Sequence, residues 1–411
     1  MIKLLKLTLS LFLLCCFFFV TSCSKDDGSV TTDTSTESES PTADGDFSFD
    51  SDGGSFSDAG GGSSGGSGNG GNGNQAGLVT AGEWNDLENW SFWMDLLEGE
   101  TYGEKSAHWR FYTQNRVAVV VKNGDAPVIN ANVALQENGE VVWETKTDNA
   151  GKAELFIGTF EPNDNPNLGN FTLFLEGEAV EEAVKTIEQG INEVQTNLAS
   201  NSTSRAEICF IVDATGSMGD ELEFLKDDLE DVIKKVQNQN SGVNVLTSSV
   251  FYRDEGDEYV VKVSDFAANL RNTLDFISAQ SANGGGDFPE AVHTALNSAL
   301  DLQWSDDSKA RIAFLLLDAP PHYDQQVVTD LQNAIRSAAQ KGIKLIPITA
   351  SGIDKDTEFL MRFFSVITNG TYVFITNDSG IGGEHLEASV GQYEVEFLND
   401  LMVRLIGKYV E

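Results

Sequence analysis

ICFIVDATGSM, residues 208–218, joins a short apolar run to one carboxylate and two hydroxyls. Ile208 to Val212 reads as a buried strand. Asp213 ends it, and Ala214, Thr215, Gly216 and Ser217 make a tight turn. A periodic helix follows, with Met218, Leu222, Leu225, Leu229, Val232, Ile233 and Val236 on one face. Asp213, Thr215 and Ser217, spaced i, i+2 and i+4, therefore sit on a loop at the carboxyl end of a strand. Open α/β sheets bind ligands there. Hard oxygen donors converging on one point suit Mg²⁺ or Ca²⁺. The plainer alternative is that Asp213 caps the following helix and the hydroxyls satisfy orphan N–H groups.

Asp213-Ala-Thr215-Gly-Ser217-Met218 resembles the D-x-[ST]-x-S motif of von Willebrand factor type A (VWA) domains, in its common D-x-T-G-S-M wording. The resemblance implies a metal-ion-dependent adhesion site. It also implies a Rossmann-like, doubly wound α/β fold with a mostly parallel sheet.

Two later loops bear on that site. Gly284-Gly285-Gly286-Asp287-Phe288-Pro289-Glu290 opens a helix. In the family a Thr in the matching glycine-rich loop completes the site; here the loop offers Asp287. A carboxylate there would shift preference towards Ca²⁺ or Mn²⁺. Asp287 is equally readable as a helix cap, with Pro289 in the first turn. Leu317-Asp318-Ala319-Pro320-Pro321-His322 follows another apolar strand, and Asp318 matches the carboxylate of the family's third site loop. His322 is either a ligand or base, or structural, and imidazole is softer than Mg²⁺ prefers. Arg253, in Tyr252-Arg253-Asp254, pairs with a site carboxylate, with an acidic ligand, or with a surface acid.

From about Arg205 strands and helices alternate, as in a mostly parallel sheet with helices on both faces. Strands are expected at 208–212, 243–252, 259–263, 312–317, 343–349 and 371–375. Helices are expected at 218–237, 265–280, 288–302, 325–341, 355–367 and 392–408. The resemblance covers this part, roughly half the chain, and sets the VWA domain at 201–411.

Upstream, RVAVVVK (116–122), ANVALQE (131–137), EVVWETKT (140–147), KAELFIG (152–158) and NFTLFLE (170–176) are strand-like runs between turn residues. They resemble the small Ig-like or carboxypeptidase-regulatory-like sandwiches of secreted bacterial proteins. Residues 178–198 read as a connecting helix. The stretch 78–97, with Trp84, Trp90, Phe92 and Trp93, is expected to pack onto the next domain rather than to form a binding platform. Together these make a second region, 77–200.

Residues 1–22 read as a signal peptide: Lys3 and Lys6, then an apolar run from Leu7 to Val20. Val20-Thr21-Ser22-Cys23 resembles a bacterial lipobox, which implies a lipidated Cys23 and an outer-membrane lipoprotein. Lys25-Asp26-Asp27 resembles the export signal of surface-exposed lipoproteins in Bacteroidetes, or else starts an acidic linker. Residues 23–76, rich in Asp, Ser, Gly and Asn, are expected to act as a tether without a core.

The 411-residue chain has 64 acidic against 26 basic residues, net charge −38, which excludes nucleic acid as a natural partner. Four cysteines, two of them in the signal segment, predict no disulfide framework. The leading expectation is a non-enzymatic surface protein that captures a protein or other carboxylate-bearing ligand through a divalent cation. The alternatives are a scaffold without a ligand-binding metal, and a hydrolase using Ser217, which lacks the G-x-S-x-G elbow.

Overall fold

The structure is a computed structural model and describes residues 76–239 and 242–411. The signal peptide, Cys23, Lys25-Asp26-Asp27 and the tether lie outside the described residues.

Strand β1 (Thr80–Trp84) is followed by helices α1 (Trp90–Glu98) and α2 (Glu100–Trp109). The stretch dense in aromatics thus forms one strand and two helices. Trp93 is fully buried and stacks on Phe359, centroids 6.2 Å apart. It packs, as expected, but against a helix more than 200 residues later rather than against the neighbouring module.

The small β module contains β2 (Asn115–Asn123), β3 (Ala126–Pro127), β4 (Asn132–Glu137), β5 (Glu140–Lys146), β6 (Lys152–Ile157), β7 (Phe171–Leu175), β8 (Glu178–Ala179) and β9 (Asn192–Gln195). Its two sheets run β3-β2-β6, with β9 beside β2, and β5-β4-β7-β8. All five expected strand runs are present. The helix expected over 178–198 is not. Instead, β9 lies parallel to β2, with Val119 opposite Asn192 and Val121 opposite Val194. Asn192 Nδ2 donates to the Ala118 and Lys185 carbonyls. The ladder of a neighbouring strand overrides a local helical spacing of apolar residues.

The remaining elements are β10 (Thr203–Asp213), α3 (Gly219–Gln239), β11 (Asn244–Tyr252), β12 (Val261–Ala267), α4 (Leu270–Ser278), α5 (Val292–Leu300), β13 (Ser308–Leu317), α6 (Gln325–Lys341), β14 (Ile343–Thr349), α7 (Lys355–Ile367), β15 (Tyr372–Ile375), β16 (Val395–Phe397) and α8 (Leu398–Val410). The eight-stranded sheet has the order β12-β11-β10-β13-β14-β15-β1-β16. Its five central strands, β11 to β15 in that order, are parallel; β12 and β1 are antiparallel to their inner neighbours. This is the doubly wound α/β architecture, preceded by a small sandwich.

Three expected helices start late, α8 at Leu398 because residues 395–397 pair with β1 as β16. α4 follows the end of β12 and is capped by Asn269, whose side chain accepts from Arg271 N at 3.2 Å. Glu290 is bridged to Pro321, so residues 288–291 are not helical and α5 begins at Val292. Asp287 therefore caps no helix.

The sheet buries both faces. On β10, Ile208, Phe210 and Val212 join α3 and α8, while Cys209 and Ile211 face the side of α5, α6 and α7. Phe210 stacks on Phe314 of β13, centroids 5.9 Å apart. Such side chains contribute roughly 1.5–3 kcal/mol each on burial. The sandwich residues Trp143 and Leu155 belong to the same apolar cluster as Leu315 and Leu345. With β1 in the large sheet as well, one continuous apolar core crosses the expected division at 200/201.

Candidate functional site

Asp213 is fully buried at the end of β10. Its Oδ1 accepts from the Thr215 backbone N (2.8 Å) and from Thr215 Oγ1 (2.7 Å). Thr215 Oγ1 lies 3.2 Å from Ser217 Oγ. A capping role accounts for Oδ1 only. Oδ2 is buried and makes no hydrogen bond of good geometry among the described residues; the buried Tyr252 hydroxyl, equally unbonded, is its nearest polar influence. Asp318, at the end of the adjacent strand β13, is 5 % exposed, and its Oδ1 is likewise unpartnered.

The glycine-rich loop docks on this turn through its backbone. Gly216 N donates to Gly284 O (3.0 Å), and Asn283 N donates to Ala214 O (3.0 Å). Gly285 has φ +69°, and a Cβ there would lie 2.8 Å from Glu290 Oε1 and 3.2 Å from Thr215 Cβ. Glycine is required on both counts. Asp257 anchors the loop from the β11–β12 turn by accepting from Gly285 N at 2.9 Å.

Asp287 is exposed. The carboxylate that this loop turns inward is Glu290, 2 % exposed, with Oε2 unpartnered. Its backbone N donates to Pro320 O (2.9 Å), which ties it to the Asp318 loop. Of the two acids on this loop, Glu290 is thus buried and Asp287 faces outward. Glu290 stands at the end of the quoted loop, but the sequence pattern gives it no role of its own.

Of the pairings expected for Arg253, the structure has the one with a surface acid: Nη1 lies 3.8 Å from Glu258 Oε2. Arg253 is 4 % exposed and makes no pair with Asp213, Asp287 or Asp318. Its Nε donates to Ala214 O (3.1 Å) and its Nη2 to Ser281 O (2.8 Å), and its guanidinium lies 4.4 Å over the Tyr259 ring. It pins the first loop to the glycine-rich loop. His322 Nε2 lies 2.6 Å from Asp254 Oδ1, so its ring is engaged by that carboxylate rather than by Ser217.

Burial pushes the Asp213 carboxyl well above the usual range, and the charge of Asp318 adds to the effect. Asp318 is raised too, by burial first, against a hydrogen bond from Ser217 that opposes the rise. Glu290 is pushed up to about 9 by burial and then by the charges of Asp213, Asp254, Asp318 and Asp257. Like charges out of water destabilise one another.

A cleft of about 590 Å³ opens over Ser217 and Asp318. Its far wall is residues 383–387. His385 fixes that wall: Nε2 lies 3.0 Å from Glu221 Oε1, and Nδ1 lies 2.9 Å from Asn377 Oδ1. Neither Glu221 nor His385 stands out in the sequence, because their pairing spans 164 residues.

The residues present fit a divalent cation: hard oxygen donors, two of them carboxylate oxygens buried without a partner. Asp213, Thr215, Ser217 and Asp318 would hold it. Among the described residues no three His, Cys, Asp or Glu side chains converge as a metal cluster, so any such site depends on the two hydroxyls.

Residues 207–362 match the model of a family described as von Willebrand factor A domain. The matched stretch runs from within β10 into α7 and carries the Asp213 and Asp318 loops. The chain is 33% identical over 117 residues to a putative ariadne-like RING finger protein of Acanthamoeba polyphaga mimivirus, covering 28% of this chain and 11% of that protein. It is 29% identical over 145 residues to the alpha-protein kinase vwkA of Dictyostelium discoideum, covering 34% of this chain and 23% of that protein. The chain therefore spans a quarter or less of these curated relatives. Among solved structures it is similar to BatB from Bacteroides thetaiotaomicron, at 14% identity and TM-score 0.35, covering 50% of this chain and 98% of that one. It is also similar to the pilus adhesin SpaC from Lactobacillus rhamnosus GG, at 13% identity and TM-score 0.35, covering 51% and 30%.

Proposed function

We propose that the chain is a cell-surface lipoprotein, anchored through Cys23, that captures a protein or other acidic ligand at a divalent-metal-dependent adhesion site. The observation that carries this is the buried, unpartnered Asp213 Oδ2 beside the unpartnered Asp318 Oδ1. Desolvated carboxylate oxygens without donors are costly, and a cation relieves that cost. Mg²⁺ is the first choice, with Mn²⁺ or Ca²⁺ as alternatives. When bound, the cation supplies an exchangeable position for a ligand carboxylate. The chain's own residues do the rest: Thr215 orients Asp213, Arg253 and Asp257 hold the loops, and residues 383–387 wall the approach.

The role is binding, not catalysis. Among the described residues no hydrogen bond joins His322 to Ser217, whose hydroxyl lies 3.2 Å from Thr215 Oγ1 instead. The net charge of −38 repels nucleic acid. Among the described residues no helix is long and apolar enough to cross a membrane, and the anchor in this reading is lipid on Cys23.

Calorimetric titration with Mg²⁺, Mn²⁺ and Ca²⁺ tests the site. Wild type binds one of the three saturably. Ser217→Ala binds on the order of tenfold more weakly, and Asp213→Ala does not bind. Pull-down from envelope and host extracts with and without EDTA tests ligand capture. A wild type that binds none of the cations leaves the scaffold reading, which the lack of a three-residue His/Cys/Asp/Glu cluster favours. Protease added to intact cells tests localisation: a protein cleaved only after envelope lysis is not surface-exposed.

A further inference from the structure

A second cavity lies at the opposite end of the strands from Asp213, where the sandwich meets the α/β body. It is about 20 Å³, room for one water-sized body. Its lining inverts the character of the chain. Four cations face it, Lys146 from β5, Lys309 and Arg311 from β13, and Lys344 from β14, against the single carboxylate of Asp148. In a sequence with 64 acidic and 26 basic residues, such a grouping needs a reason.

Two of the four cations are already engaged, Lys344 by Asp148 and Lys309 by a main-chain oxygen. Asp148 Oδ2 takes Lys344 Nζ (3.4 Å) and Asn369 Nδ2 (3.1 Å). Its Oδ1 takes the backbone N–H groups of Ala150 and Lys152, both at 2.9 Å. Lys309 Nζ donates to the Glu411 main-chain oxygen. That leaves Lys146, which has no acid within ion-pair distance among the described residues, and Arg311. Arg311 is 4 % exposed; its Nε donates to Ser305 O (2.8 Å) and its Nη1 to Asn130 Oδ1 (3.0 Å). Nη2 is buried with no partner among the described residues. Glu207, Asp306 and Asp307 act on Arg311 through space, but none bonds Nη2. An unpaired buried guanidinium donor is among the more costly groups a fold can leave.

We infer that this cavity holds one small inorganic monoanion, of the size of chloride, bonded to Arg311 Nη2 and facing Lys146, and that it clamps the sandwich to the α/β body. The small space at the cavity's base suits a single-atom anion better than a tetrahedral oxyanion. Four cations against the one carboxylate of Asp148 leave the lining net positive, which suits an anion. Burial lowers the pKa of Lys146, with Arg311 beside it adding to the effect, and burial also lowers Arg311 and Lys344. All three shifts are of the sign that a bound anion reverses.

The test is thermal unfolding of the full chain in EDTA, with chloride or bromide replacing gluconate at constant ionic strength. The expected result is a saturable rise in Tm of about 2–4 °C, absent in Lys146→Met, which keeps the apolar stem. Crystals grown in bromide should show an anomalous peak beside Arg311 Nη2. Arg311→Gln should lose the shift as well; should that variant fail to fold, Lys146→Met decides. A Tm that does not saturate, an equal shift in Lys146→Met, or a cavity holding water only overturns the inference. EDTA keeps this result separate from any cation bound at Asp213.

Discussion

Asp213, Asp318 and Glu290 each hold a proton more tightly in the folded chain than in the unfolded one. For a carboxyl with a raised folded pKa, the stability it contributes is full below its unfolded value of about 4 and is lost as pH rises through the folded value. The metal-free protein should therefore lose Tm from about pH 4 upward, with the last loss near the Glu290 value of about 9. Saturating cation should flatten that slope, because it takes the place of the protons. Asp213→Ala should flatten it without cation and leave metal-free stability near neutral pH unchanged or higher. Unfolding scans at several pH values, with EDTA or Mg²⁺, check both. Gly285→Ala makes a different demand. At φ +69°, and 2.8 Å from Glu290 Oε1, a methyl group should cost about 1–3 kcal/mol and displace Glu290. Urea unfolding should show the loss, and cation titration a weaker site.

Among the elements, α7 is tied to the turn that follows β1. Arg362 of α7 is fully buried, and its Nε and Nη2 meet both Asp86 oxygens, at 2.9 and 2.5 Å. Glu358, one turn earlier and also buried, lies 3.8 Å from Arg362 Nη1. Removing one partner of such a pair strands the other charge in the core. Asp86→Ala should destabilise the protein by about 3–5 kcal/mol, measured by urea unfolding. An exposed pair such as Lys234–Glu230 on α3 should give less than about 1 kcal/mol in the same assay. A small effect for Asp86→Ala would show that the pair does not lock the α1–α2 segment onto α7.

For the whole molecule, the eight-stranded sheet sets where the chain can be cut. β1 fills the place between β15 and β16, with Ala81 opposite Ile375 on one side and Glu396 on the other. A chain starting at Ala76 should unfold cooperatively, with the circular dichroism of the full protein. One starting at Asn201, the VWA boundary expected from sequence, should lose cooperativity, because it leaves Phe359, Arg362 and Phe374 uncovered. Equal cooperativity in both would support the boundary at 200/201.

What the sequence alone determined is what depends on neighbours a few residues away. The apolar period of α3, the two-faced strand before Asp213, the five sandwich strands and the i, i+2, i+4 placement of Asp213, Thr215 and Ser217 follow from backbone geometry that repeats every two or 3.6 residues. Helices 325–341 and 355–367 were legible to the residue, since each opens on an aspartate cap, Asp324 and Asp354. Tertiary structure decided the rest. Residues 178–198 became loop and strand because β2 offered an unpaired ladder. Glu290 rather than Asp287 was turned inward, because Pro320 O captures its backbone N–H and fixes the course of the loop. Arg253 became a clamp because two carbonyls, Ala214 and Ser281, meet its guanidinium across three loops. In each case the deciding partner is distant in sequence, and no local period encodes a contact whose two halves are brought together only by the closing of the sheet.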